Sequence, residues 1–262
     1  MTEKENLIGE LLTAAQGGDA AAQHELATRL REGDGIAENL ADSLHWYRKA
    51  AESHHRDAIN DLGSMLFNGI GCEADPTEAF KWYEMAAKAG HPVACYNLGK
   101  RYLHDRVDLK QAFDWFREAA KHNHMEAICE VGTMYRFGHG TNRNLIAAAD
   151  FHVIAAKQGD PVAIGNLSDY LDELRDIALT GNATASRILS EIYNRGLSVE
   201  QSMPLTWAWI QWAKKHCPPS DDADDAAGMD GAYDFYKSCL STDDRKEGER
   251  VIKNLIAARH KP

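Results

Sequence analysis

A seven-residue segment that returns at near-constant spacing limits the fold of this chain more than anything else in it. His45-Trp46-Tyr47-Arg48-Lys49-Ala50-Ala51 comes back as Lys81-Trp82-Tyr83-Glu84-Met85-Ala86-Ala87, then as Asp114-Trp115-Phe116-Arg117-Glu118-Ala119-Ala120, then as Asp150-Phe151-His152-Val153-Ile154-Ala155-Ala156. The steps are 36, 33 and 36 residues. Periods of that size belong to two-helix units that bury their apolar faces only by stacking on copies of themselves.

Upstream of each aromatic segment a second set falls into register: Ala22, Leu26 and Leu30; Ala58, Leu62 and Leu66; Ala94, Leu98 and Tyr102; Ala127, Val131 and Tyr135. Such spacing marks one face of a helix. Each unit is therefore a first helix carrying this stripe and a second helix carrying the aromatics. The small residues after the central apolar position (Ala27, Gly63, Gly99 and Gly132) are expected to let a neighbouring backbone come close. Seven residues before each aromatic stand Asn39, Asp75, Asp108 and Asn144, all preferred N-caps because their side-chain oxygen accepts from a first-turn amide. In the second unit Pro76 and Glu78 follow in favourable first-turn positions, and Gly90 and Gly159 mark the ends of second helices. Gly33-Asp34-Gly35, Gly69-Ile70-Gly71 and Gly138-His139-Gly140 share one position between first and second helix. No strand precedes them and no Gly-Lys-Ser or Gly-Lys-Thr follows, so they read as turn glycines and not as a phosphate loop.

A looser copy lies further on, with Ala185, Leu189 and Tyr193 in a first helix, Trp209 and Ala213 in a second, and Ser202 in the capping position. Between it and the fourth unit, residues 160–182 read as a first helix opened by Asp160-Pro161 with a shortened or missing second helix. The expected organisation is a repeat solenoid over residues 1–217 with 160–182 degenerate, an acidic linker over 218–230, and C-terminal capping helices over 231–262. The linker reading rests on Pro218-Pro219-Ser220-Asp221-Asp222-Ala223-Asp224-Asp225, and the last helix is opened by Ser241 and Asp244 at capping-box spacing.

Leu62-Gly63, Gly69-Ile70-Gly71, Ala79-Phe80-Lys81-Trp82-Tyr83 and the Ala86-Ala87 pair resemble the Sel-one-like repeat, a relative of the tetratricopeptide repeat. The resemblance covers residues 18–159 closely and 183–217 loosely. It implies an all-α fold, a right-handed α/α solenoid of helix-turn-helix repeats, and work as an adaptor or scaffold. One branch of the family has a disulfide in each repeat. Cys72, Cys95, Cys129, Cys217 and Cys239 fall irregularly and are expected to be free thiols, as in a reducing compartment.

Composition narrows the function classes. A net charge of -11, from 29 basic and 40 acidic residues, argues against nucleic acid as the partner. No apolar run approaches the ~20 residues of a membrane helix, and the polar start Met1-Thr2-Glu3-Lys4-Glu5-Asn6 has no apolar stretch behind it, so a cytoplasmic protein without membrane attachment is expected. His54, His55, His91, His122 and His124 gather at junctions between units. Helices stack ~8–10 Å apart whereas zinc ligands converge at ~2.0–2.1 Å, so no metal site is expected. The acidic run lacks the sixth-position glycine and the final glutamate of a calcium loop. No cofactor and no catalytic set can be read from the spacing, and the chain is expected not to be an enzyme. Trp46, Trp82, Trp115 and Trp209 are expected to fill the core between helices.

What remains is the first-helix face opposite the apolar stripe: His24, Glu25 and Thr28; Asn60, Asp61 and Ser64; Tyr96, Asn97 and Lys100; Glu130 and Thr133; Asn166 and Asp169. In related superhelices the first helices line the concave surface. This row is therefore the expected binding site for a partner protein. Two other readings stand beside the adaptor: an inhibitor, such as an immunity protein that neutralises a cognate toxin, and an enzyme or enzyme regulator with a small-molecule pocket between repeats.

Overall fold

The computed structural model describes residues 3–105, 107–216 and 223–259, and every regular element among them is an α-helix. The chain divides into two compact units, Met1–Ala127 and Ile128–Pro262. In the first, α1 (Glu3–Gln16) precedes three helix pairs: α2 (Ala20–Glu32) with α3 (Leu40–Glu52), α4 (Arg56–Asn68) with α5 (Pro76–Lys88), and α6 (Pro92–His104) with α7 (Leu109–Lys121). The division falls inside α8 (Met125–Phe137). The second unit continues with α9 (Leu145–Ala156), α10 (Pro161–Asp169), α11 (Leu171–Leu179), α12 (Ala183–Arg195), α13 (Met203–His216), α14 (Ala223–Cys239) and α15 (Thr242–Arg259). No described helix is long and apolar enough to cross a membrane.

The second helices start where their caps predict. Asn39 accepts from the Asp42 amide at 3.1 Å, Asp75 from Glu78 at 2.8 Å, Asp108 from Gln111 at 3.0 Å and Asn144 from Ala147 at 3.0 Å. Ser202 does the same for Leu205 at 3.3 Å. The first helices use a column that the sequence did not reveal. Asp19, Asp160 and Asn182 cap α2, α10 and α12, while the same position before α4, α6 and α8 is histidine. His55, His91 and His124 accept through Nδ1 from the amides of Ala58, Ala94 and Ala127, at 3.3, 3.2 and 3.4 Å. The residue before each of these caps turns left-handed. Glycine supplies it in Gly18, Gly90 and Gly159, but His54 (φ 61°) and Asn123 (φ 59°) adopt it at a steric cost.

The apolar stripe is buried as expected, with Leu26, Leu62, Leu98 and Val131 at most 1% exposed. The small residue beside it makes room for a ring, and at Gly63 and Gly132 for a neighbouring carbonyl as well, since a Cβ there would lie 3.4 Å from the Ala79 oxygen and 3.2 Å from the Ala148 oxygen. A Cβ on Gly99 would lie 2.7 Å from the Phe116 ring, and one on Gly132 would lie 2.7 Å from His152. Those rings belong to the residue after each tryptophan position, which corrects the expectation for the tryptophan column. Tyr47, Tyr83, Phe116 and His152 are buried, whereas Trp46, Trp82 and Trp115 are half-buried. One step along a helix turns the side chain by ~100°, so only the second ring of each pair points into the glycine slot. Trp209 is fully buried.

Three other segments differ from the expectation or refine it. The polar N-terminus forms α1, whose Leu11 and Ala15 pack against Leu26 and Leu30 of α2, with Gln23 Nε2 donating to the Ala15 carbonyl at 3.0 Å. Residues 160–182 hold a shortened pair of nine-residue helices, α10 and α11, joined at Tyr170 alone. Because the pair is short, α12 also reaches α9, through Arg187 to Asp150 at 3.0 Å and Glu191 to Lys157 at 3.1 Å. Of the expected acidic linker, residues 218–222 lie outside those described, but α14 begins at Ala223. Alanines 223, 226 and 227 favour helix strongly enough to outweigh the aspartates among them. Both α14 and α15 pack on α13.

Candidate functional site

The polar row of the first unit comes from the helix faces opposite the buried stripe, and its members touch from repeat to repeat. His24 of α2 donates through Nε2 to Asp61 of α4 at 2.9 Å, and Asn97 of α6 donates to Asn60 of α4 at 3.4 Å. Each contact spans 37 residues. The His24 ring also stacks on His55, with centroids 4.7 Å apart and planes at 23°. Tyr96 repeats that arrangement on His124 at 4.6 Å and 22°, and Lys100 Nζ lies 5.5 Å from the Tyr96 ring centre.

In the first two repeats a hydroxyl ties the row to the buried ring behind it. Tyr47 OH meets Thr28 Oγ1 at 2.9 Å and Tyr83 OH donates to Ser64 Oγ at 3.1 Å. Burial pushes both phenols above their ordinary pKa. Glu25 is exposed, Asp61, Ser64, Tyr96, Asn97 and Lys100 are half-buried, and Asn60 is buried at 7% exposure. The face that looks like a plain polar surface in sequence is therefore a half-buried ladder that also joins repeats.

In the second unit the corresponding residues surround His152. Its Nδ1 lies 2.6 Å from Tyr170 OH, and its Nε2 lies 3.4 Å from Thr133 Oγ1 and 3.2 Å from Asn166 Nδ2. Arg136 reaches Asn166 at 3.4 Å and Asp169 at 3.0 Å. Glu130 is half-buried and Asp169 is exposed. Burial pushes His152 down to about 4 and raises Tyr170, so both are neutral near pH 7. This cluster is a hydrogen-bonded core with an ion pair at its edge.

The two buried thiols are poor nucleophiles. Burial raises the Cys95 thiol to about 11 and Cys129 to about 12, which leaves little thiolate at neutral pH. Among the described residues no group of three His, Cys, Asp or Glu side chains is placed to hold a metal ion. Burial also holds the capping histidines His55, His91 and His124 below the usual range. Their caps were missed in sequence because histidine is not a preferred capping residue. The signal was the column itself, where Asp19, Asp160 and Asn182 occupy the same place.

Comparison with known proteins agrees with this architecture. The Sel1 repeat family matches at residues 20–55, 56–91, 92–124 and 126–160. A protective antigen of uropathogenic Escherichia coli superimposes with a TM-score of 0.58 at 23% identity, over 94% of this chain and 55% of that one. The chain thus spans about half the length of that relative. A Sel1 repeat protein from Oxalobacter formigenes gives 0.56 at 23% identity, over 82% and 80% of the two chains. An immunity protein from Pseudomonas aeruginosa gives 0.42 at 18% identity, over 90% and 75%. None of the curated proteins matches. With the matched repeats covering more than half of its residues, the chain belongs to the Sel1 repeat family.

Proposed function

We propose that this chain is a protein-binding module whose partner lies along the first-helix row of the first unit, on His24, Asp61, Tyr96, Asn97 and Lys100. Sel1 repeats are protein-interaction folds, and in this reading the chain serves as an adaptor or scaffold and not as an enzyme. One observation carries the proposal. The packing residues repeat from unit to unit, as in Leu26, Leu62 and Leu98, while the row beside them does not, running His24, Asn60 and Tyr96 at the same position. Side chains held by contacts to their neighbours, yet different in every repeat, offer a pre-organised and non-uniform surface. Glu130 and Thr133 of α8, with Asn166 and Asp169 of α10, extend the proposal to the second unit.

The test uses the photo-cross-linker benzoylphenylalanine at Lys100, with the same group at exposed Lys81 of α5 as control. A partner captured from position 100 and lost with a Tyr96→Ala, Glu25→Lys chain of unchanged melting temperature supports the site. Equal capture from both positions, or equal capture by the double variant, removes it.

A further inference from the structure

Between α13 and α15, in the second unit and lined by none of the first-helix row, lies a pocket of about 180 Å³. It is smaller than the ~300–1,000 Å³ of a site for a drug-sized molecule and close to the ~150 Å³ that takes a single benzene ring. Its apolar wall is Ile252, Ile256 and Trp212. The Trp212 ring is fixed, because Nε1 donates to the Ala178 carbonyl at 3.0 Å and the ring stacks on His216 at 3.8 Å. Two of its rim residues, Lys215 and Lys253, are cationic against one acid, Glu249, and His216 completes the rim. Among the described residues neither lysine meets a carboxylate, whereas Arg136, Arg143, Lys157 and Arg187 of the same unit are all paired. Two exposed lysines without a carboxylate partner among the described residues thus flank an apolar slot in a chain of net charge -11. Screening over ~8 Å at physiological salt lets this local charge act apart from the overall one.

We infer that this pocket binds a short acidic segment of a partner protein. One bulky apolar side chain enters between Trp212 and Ile256, and flanking carboxylates meet Lys215 and Lys253. The size of the slot selects one side chain, and the ammonium groups of Lys215 and Lys253 select its neighbours. The inference does not depend on the first-helix row, and each can fail without the other.

The full chain would be titrated with a fluorescein-labelled hexapeptide in which leucine and phenylalanine are flanked by aspartates. Saturable, salt-sensitive binding is expected, weakened at least about tenfold by K215E with K253E and by asparagine in place of aspartate in the peptide. Both lysines are exposed, so the double variant should melt like the wild type; Ile256→Ser tests the slot separately. Equal binding of the asparagine peptide, indifference to K215E/K253E, or no saturation below millimolar peptide overturns the inference. So does benzoate competing as strongly as the peptide, which would mean a small-carboxylate site. A dimer in sedimentation that K215E/K253E dissolves would mean a second copy fills the slot, and would overturn it as well.

Discussion

Asn97 reaches back 37 residues to place its amide 3.4 Å from the buried Oδ1 of Asn60, the same step by which His24 reaches forward to Asp61 at 2.9 Å. Asn97→Ala should therefore cost more than a surface substitution, about 1–3 kcal/mol, because it strands a buried acceptor. Glu25→Ala, at an exposed position on the same face, should stay within about 0.5 kcal/mol. Chemical denaturation of both variants compares them. Equal effects would mean that the Asn60–Asn97 contact contributes nothing.

The slot at Gly99 sets a second expectation. Gly99→Ala would drive a Cβ to 2.7 Å from the Phe116 ring, and overpacking of this kind costs about 1–3 kcal/mol. Adding Phe116→Leu should recover part of that loss, since the smaller side chain vacates the slot. Leu98→Ala, at a fully buried position, should cost about 2–5 kcal/mol. If the double variant is no better than Gly99→Ala, the ring is not what fills the slot.

The capping histidines make stability depend on acid. Burial lowers His55, His91 and His124 from the ordinary 6.5, against the opposing pull of Asp57 on the first two and Glu126 on the third. Their contribution is complete above that value and disappears as the pH falls through the lower folded-state values. Between about pH 7.5 and about pH 5 the loss should be on the order of 1–3 kcal/mol over three caps. His152, pushed down to about 4, adds its own loss over the same window, because the unfolded chain takes up that proton near the ordinary 6.5 while the folded chain does not. Asparagine holds the same position before α12, so H55N/H91N/H124N should make the profile shallower, leaving the part due to His152. A slope unchanged in that variant would assign the acid sensitivity elsewhere.

His54→Gly should stabilise. His54 is exposed and sits at φ 61°, where Gly18, Gly90 and Gly159 stand in other repeats. Relief of the left-handed strain should exceed the added unfolded-state entropy of glycine by up to about 1 kcal/mol. A lowered melting temperature would show that the imidazole makes a contact worth more than the strain.

The repeats were legible because cap chemistry and a four-residue apolar stripe are local properties: Asn39, Asp75, Asp108 and Asn144 each declare a helix start without reference to anything distant. The row of His24, Asn60 and Tyr96 was legible as a face but not as a ladder, since the burial of Asn60 depends on a side chain one repeat away. Gly99 was legible as small. Which atoms use the space was not, because that depends on the azimuth of Phe116 on another helix. α1 escaped because it lies outside the repeated register, although Leu7, Leu11 and Ala15 have helical spacing, and the start of α14 escaped because its aspartates read as a linker while its alanines favour helix.

The contact of α12 with α9 across the shortened α10–α11 pair has a consequence for how the second unit opens. In a strictly serial stack, melting one pair severs everything beyond it from everything before it, and amide exchange reports a single boundary. With Arg187 on Asp150 and Glu191 on Lys157, α10 and α11 form a loop closed at both ends. They can exchange their amides as a separate sub-global unit while α9 and α12 stay docked.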